Sequence, residues 1–224
     1  GGTLTASVPA TVTLTPCPVG VSGSAANLYE YISGGVGTAE AVLITGGTCT
    51  SGAATGTIQF TPAYSHSGAW TIASATAGIQ EAIYSSTVPG VVALPANQAI
   101  NTYAVVYIDR PVWIRGQGGD ATKVLINNTA STVFQVHADR VKISDLTVSK
   151  AGGVGARTGH GIQGDAGFVE LSLNDVRVLN HNYGLYFLGH VWINRVIAEY
   201  NSTGIRITGN GCELTNVQAN GNTQ

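Results

Sequence analysis

Charge is the scarcest feature of this chain: only 10% of its 224 residues are Asp, Glu, Lys or Arg, against about a quarter in an ordinary soluble domain. The net charge is -2, with no basic stripe, which argues against nucleic acid as a partner. Methionine is absent, position 1 included, so a mature or trimmed chain is expected. No apolar run approaches the roughly 18 residues that cross a bilayer as a helix, and the first residues lack the basic start and apolar centre of a signal peptide. Cysteine is confined to Cys17, Cys49 and Cys212, and the lack of any CxxC spacing excludes a clustered thiolate metal site. No HExxH motif and no Ser/His/Asp arrangement is legible, and His66, His137, His181 and His190 are dispersed.

Gly, Thr, Ala, Ser and Asn are abundant instead, the composition of strands and turns. The last third carries a repeat of about twenty residues. Val191, Ile193, Val196 and Ala198 lead to Asn201, and the pattern returns as Cys212, Leu214, Val217, Ala219 and Asn222. An earlier copy runs through Leu171, Leu173, Val176 and Val178 to Asn180 or Asn182. Gly161-Ile162, Gly184-Leu185 and Gly204-Ile205 recur with it. A unit that cannot bury its apolar side alone must stack on its neighbours. The asparagines are then expected in inward ladders, each amide bonding to the next, the glycines in tight turns, and Cys212 as a buried thiol.

Residues 1–70 read as a small Thr/Gly-rich β module, with strands at Thr11 to Leu14, Ala41 to Ile44 and Thr57 to Phe60. Cys17 and Cys49 are its disulfide candidates, given an oxidising compartment. Residues 71–224 form the second region. A helix is expected from about Thr76 to Tyr84, N-capped by Ser74, because Ile79 and Ile83 fall on one face with Ala82. A succession of short strands follows Pro89-Gly90, interrupted by a Gly-rich loop over residues 151–155.

Four runs carry a resemblance: Ala75-Thr76-Ala77-Gly78-Ile79-Gln80-Glu81-Ala82-Ile83, then Gly90-Val91-Val92-Ala93-Leu94-Pro95-Ala96, then Val112-Trp113-Ile114-Arg115-Gly116, then Val141-Lys142-Ile143-Ser144-Asp145-Leu146-Thr147-Val148. Over about residues 74–222 the chain resembles the right-handed parallel β-helix proteins of the pectin-lyase-like superfamily, which includes polygalacturonases, polysaccharide lyases, phage tailspikes and adhesins. The resemblance implies an all-β solenoid with one N-terminal capping helix. It also implies a role on polysaccharide or another glycan, as a hydrolase or lyase if an enzyme, with no cofactor expected apart from calcium in the case of a lyase.

Outward strand positions are where a ligand would bind. One face gives Lys142, Glu170 or Ser172, Trp192 and Glu213; another gives Gln135, Gln163, Tyr186 and Arg206. Trp192 is a candidate sugar-stacking platform, with Tyr186, Arg206 and Lys142 as further ligand-binding candidates. Glu170 and Glu213 are candidate carboxylates for glycoside hydrolysis if they share a column. Gly159-His160-Gly161, with Asp165 behind it, is similar to the Gly-His-Gly motif of polygalacturonases and makes His160 and Asp165 catalytic candidates. No Asn-Thr-Asp or Asp-Asp pair precedes it and no Arg-Ile-Lys follows. The expected protein is secreted, or displayed on a cell or virion, and binds or processes polysaccharide. The rival is a non-catalytic structural subunit of a tail, adhesin or filament, meeting its own copies end to end. The repeat stops at Asn222, so a fragment, or an end covered by another chain, is expected.

Overall fold

The computed structural model divides into two compact units, Gly1–Ser85 and Ser86–Gln224. The structure describes residues 1–19, 27–97, 99–127, 132–152, 158–165, 170–209 and 211–223; from residue 153 on, the expected Gly-rich loop lies outside them.

The first unit contains β1 (Ala10–Leu14), β2 (Tyr29–Val36), β3 (Glu40–Leu43), β4 (Gly46–Gly47), β5 (Gly56–Phe60), β6 (Ser67–Ser74) and α1 (Ile79–Ser85). Its strands form two antiparallel three-stranded sheets, β1-β5-β4 and β3-β2-β6. Leu28, Ile32, Val42, Ile58 and Phe60 are the heart of its core, joined by the Cys17–Cys49 disulfide. The helix starts later than its apolar spacing suggests, because Ala77 and Gly78 take left-handed backbone angles of 53° and 82°. The turn before it is held by Ser74 Oγ, which accepts from the amide of Gly78 at 2.9 Å, and by Thr76 Oγ1, which accepts from that of Gln80 at 3.2 Å.

The second unit contains β7 (Gly90–Ala93), β8 (Ile100–Thr102), β9 (Val106–Ile108), β10 (Val112–Arg115), β11 (Lys123–Ile126), β12 (Phe134–Val136), β13 (Lys142–Lys150), β14 (His160–Gly164), β15 (Leu171–Leu179), β16 (Tyr183–Phe187), β17 (Val191–Glu199), β18 (Thr203–Ile207) and β19 (Glu213–Asn220). From β12 on, the chain feeds two parallel sheets alternately. The eight-stranded sheet runs β19-β17-β15-β13-β10-β7, with β11 and β8 beside the second half of β13. The five-stranded sheet runs β18-β16-β14-β12-β9. Alternation along each strand buries Ile143, Val148, Leu173, Val178, Ile193 and Ala198 from the first sheet and Phe134, Ile162, Leu185 and Phe187 from the second.

The long strands bend in register. Asp145, Asp175, Arg195 and Asn216 occupy one column and all take left-handed angles, between 51° and 59°. Asn and Asp tolerate that region best, which accounts for three of the four.

The structure corrects the expected fold. It shows no β-helix solenoid of the pectin-lyase-like kind. Among the described residues it shows parallel sheets of eight and five strands, two small antiparallel sheets, and one helix, in the first unit. The physical reason is that a period of about twenty residues requires only that matching apolar residues land on neighbouring parallel strands. A chain feeding two parallel sheets by turns gives that period as well, and short runs such as Leu94-Pro95-Ala96 encode a strand and its turn rather than an architecture.

The inward asparagines also behave differently from the expectation. Asn201 Oδ1 accepts from the amide of His181 at 2.9 Å and its Nδ2 donates to Val178 O at 3.1 Å. Asn222 repeats both bonds with the amide of Asn201 and Ala198 O, each at 2.9 Å. The amides therefore satisfy backbone groups of the preceding repeat rather than each other. The residue aligned with them in β15's repeat is His181, not Asn180 or Asn182. Gly161, Gly184 and Gly204 form a column whose members have no left-handed angle. They are needed for close approach: a Cβ on Gly184 would lie 2.8 Å from Asn201 Nδ2, and one on Gly204 2.6 Å from Asn222 Nδ2. No helix among the described residues is long and apolar enough to cross a membrane.

Candidate functional site

The outward face of the eight-stranded sheet carries a row of chemically distinct side chains. Trp113 pairs with Lys142, Lys142 with Ser172, Ser172 with Trp192, and Trp192 with Glu213. Three strand spacings separate the two tryptophans, about 14 Å. Val191 and Ile193 are buried on either side of Trp192, so the strand's alternation forces the indole outward, where it is 38% exposed.

Each tryptophan is held by neighbours. Lys142 Nζ stands 4.2 Å from the Trp113 ring centre and the Arg115 guanidinium 5.2 Å from it. Trp113 Nε1 donates to Ser144 Oγ at 2.9 Å, and Ser144 Oγ donates in turn to Asp145 at 2.7 Å. His190 meets Trp192 edge-on, with ring centres 6.4 Å apart. A pocket of about 310 Å³ opens between the rows, lined by Lys142, Ser172, Asn174, Trp192, Asn194 and Glu213. Asn194 Nδ2 donates to Asn174 Oδ1 at 2.8 Å, leaving a floor of amides and hydroxyls beside the indole.

Past the bend, a larger groove of about 510 Å³ is lined by Asp175, Arg177, Arg195, Asn216 and Gln218, among others. Three of its charges are paired: Arg195 makes two bonds to the Asp175 carboxylate, at 2.6 and 2.5 Å, and Arg177 reaches Glu199 at 2.6 Å. The Arg195 hydrogen bond holds the Asp175 carboxyl below the usual range, and Arg177 does the same for Glu199. Both stay ionised and matched, a poor setting for a general acid.

On the five-stranded sheet, Tyr107, Gln135, Gln163, Tyr186 and Arg206 form one outward row. Tyr183 and Tyr186 both meet the His160 ring edge-on, at 5.2 and 5.0 Å, and Arg206 donates to the Tyr183 hydroxyl at 3.1 Å. Burial lowers the pKa of His160, against a hydrogen bond with Gln163. Gln163 Nε2 also donates to Asp165 at 3.1 Å, and the other Asp165 oxygen lies 2.9 Å from His137 Nδ1. His160 and Asp165 are thus connected through Gln163 rather than in contact.

The structure brings Lys142, Trp192 and Glu213 together on one face, and Tyr186, Arg206, His160 and Asp165 on the other sheet. Glu170 stays apart: it is exposed before β15 with a left-handed angle of 78°, and Ser172 holds the position in the row. Trp113 and Tyr183 escaped the sequence reading. The run Val112-Trp113-Ile114 repeats the spacing of Val191-Trp192-Ile193, a signal that would have found Trp113. Among the described residues no three His, Cys, Asp or Glu side chains converge to hold a metal ion. Compared with family models, curated proteins and solved structures, the chain finds no match.

Proposed function

We propose that the outward face of the eight-stranded sheet binds an extended polysaccharide. The observation that carries this is the in-register row of Trp113, Lys142, Ser172, Trp192 and Glu213. The Trp192 indole offers a stacking surface to one ring of the chain, with Trp113, beneath Lys142, about 14 Å along the row, while Asn174, Asn194 and Ser172 offer hydrogen bonds to hydroxyl groups. The low charge suits a neutral or weakly charged glycan. The disulfide supports an oxidising location, outside a cell or on a cell or virion surface.

Native gels cast with a panel of neutral and acidic polysaccharides test it. At least one polysaccharide retards the full chain, and Trp192→Ala weakens that binding by about tenfold or more. A blank panel, or a Trp192→Ala protein retarded like the parent, sinks the reading.

A further inference from the structure

On the outward face of the five-stranded sheet, one arginine has no acid to meet. Gly184 and Leu185 are buried in β16, so Tyr183 and Tyr186 on either side of them both point outward. β14 sets His160 beside Tyr183 and Gln163 beside Tyr186, while β18 sets Thr203 beside Tyr183 and Arg206 beside Tyr186. None of these residues is acidic. The Arg206 guanidinium stands 5.7 Å from each tyrosine ring centre, and the rings are 5.3 Å apart, tilted by 45°.

Other arginines of the second unit are already matched. Arg110, Arg115, Arg177 and Arg195 each reach a carboxylate, at 3.7 Å or closer. Arg206 is exposed, spends one N–H on the Tyr183 hydroxyl at 3.1 Å, and meets no carboxylate among the described residues. Asp165, farther along the same face, is engaged by Gln163 and His137. A guanidinium fork left open in this way matches the two oxygens of a carboxylate. The tyrosine rings take the place of water beside it, which strengthens its attraction for an anion. Tyr183 adds a second donor: its oxygen accepts from Arg206, so its own O–H is free to donate next to the guanidinium. His160 brings no competing charge, since burial keeps its ring neutral at neutral pH.

We propose that Arg206, with Tyr183 and Tyr186, binds the carboxylate group of a ligand on this face. The guanidinium takes both oxygens, the Tyr183 hydroxyl donates to one of them, and the Tyr186 ring packs against the carbon skeleton that carries the group. A free carboxylate and one borne on a sugar ring share this chemistry. The site is on the other sheet from the tryptophan row and does not rest on the polysaccharide reading.

The test follows the backbone and side-chain N–H resonances at position 206 in the ¹⁵N-labelled full chain. Sodium acetate, sodium glucuronate and glucose are titrated in separate arms over roughly 1 to 100 mM at constant ionic strength. Saturable shifts are expected with glucuronate and none with glucose. Acetate binding as well as glucuronate supports a site for the carboxylate alone; glucuronate binding several-fold tighter supports one that also engages the ring. Arg206→Lys keeps the charge but loses the fork, and is expected to weaken binding about tenfold. Tyr183→Phe should weaken it about threefold, and Trp192→Ala should leave it unchanged. No saturable shift with either carboxylate, an equal shift with glucose, or full affinity in Arg206→Lys overturns the proposal.

Discussion

The buried groups whose titration shifts most are of opposite kind in the two units, although the first also buries His66 against Glu40. The first, Gly1–Ser85, hides carboxylates at Glu30 and Glu81; the second, Ser86–Gln224, hides His181 with Lys150 and His160 nearby. The first is antiparallel and covalently stapled, while the described strands of the second pair in parallel and rely on columns of like residues on neighbouring strands. A small unit has too little interior to be stable by burial alone and gains from a cross-link. A stack of parallel strands gains instead from repeating the same contact.

The pH response should separate the units most strongly. Glu30 titrates at about 8 when folded against 4.5 ordinarily, so between those values the folded unit keeps a proton the unfolded one has lost. The first unit thus loses stability as pH rises through that window. Burial, then the charges of Lys150 and His160, press His181 down to about 3 from 6.5, so between these the unfolded chain holds the extra proton. The second unit loses stability as pH falls through that window. Amide exchange followed by segment is expected to show β2 and β6 opening faster toward alkaline pH and β15 and β17 toward acid. A common direction would break the contrast.

Removing the staple comes next. Cys17→Ser with Cys49→Ser opens a loop with a sequence separation of 32 and should cost the first unit about 3 to 4 kcal/mol. Exchange in β15 and β17 should not change.

The smallest effect tests the columns. Asn201→Ala strands the His181 amide and Val178 O, and is expected to cost about 2 kcal/mol in chemical denaturation. Asn222→Ala removes the equivalent bonds from a half-buried position and should cost less. Equal costs would mean that burial does not set the value of the amide.

The sequence revealed the second unit far better than the first. Apolar alternation from Val112 onward marked strands, and the row through Lys142, Trp192 and Glu213 followed from matching repeats. It did not reveal the architecture, because the period is blind to whether strands close into a solenoid or feed two sheets. The corner position expected of Asn180 or Asn182 falls to His181 for a similar reason: an imidazole in an amide's position breaks the visible pattern by identity, not by spacing. β2 went unread, since Tyr29-Glu30-Tyr31-Ile32 alternates without saying which side is inward. The buried Glu30 was lost with it.

The glycine column at Gly161, Gly184 and Gly204 sets a rule of growth. Gly184 and Gly204 each admit the corner amide of the repeat that follows, and Gly161 the His181 ring in the same place, so a repeat added or deleted whole keeps that column in register. A single inserted residue in β17 has no such freedom. It would turn Trp192 inward and Ile193 out, erasing face and interior together. The outward face can therefore change its length only in whole steps.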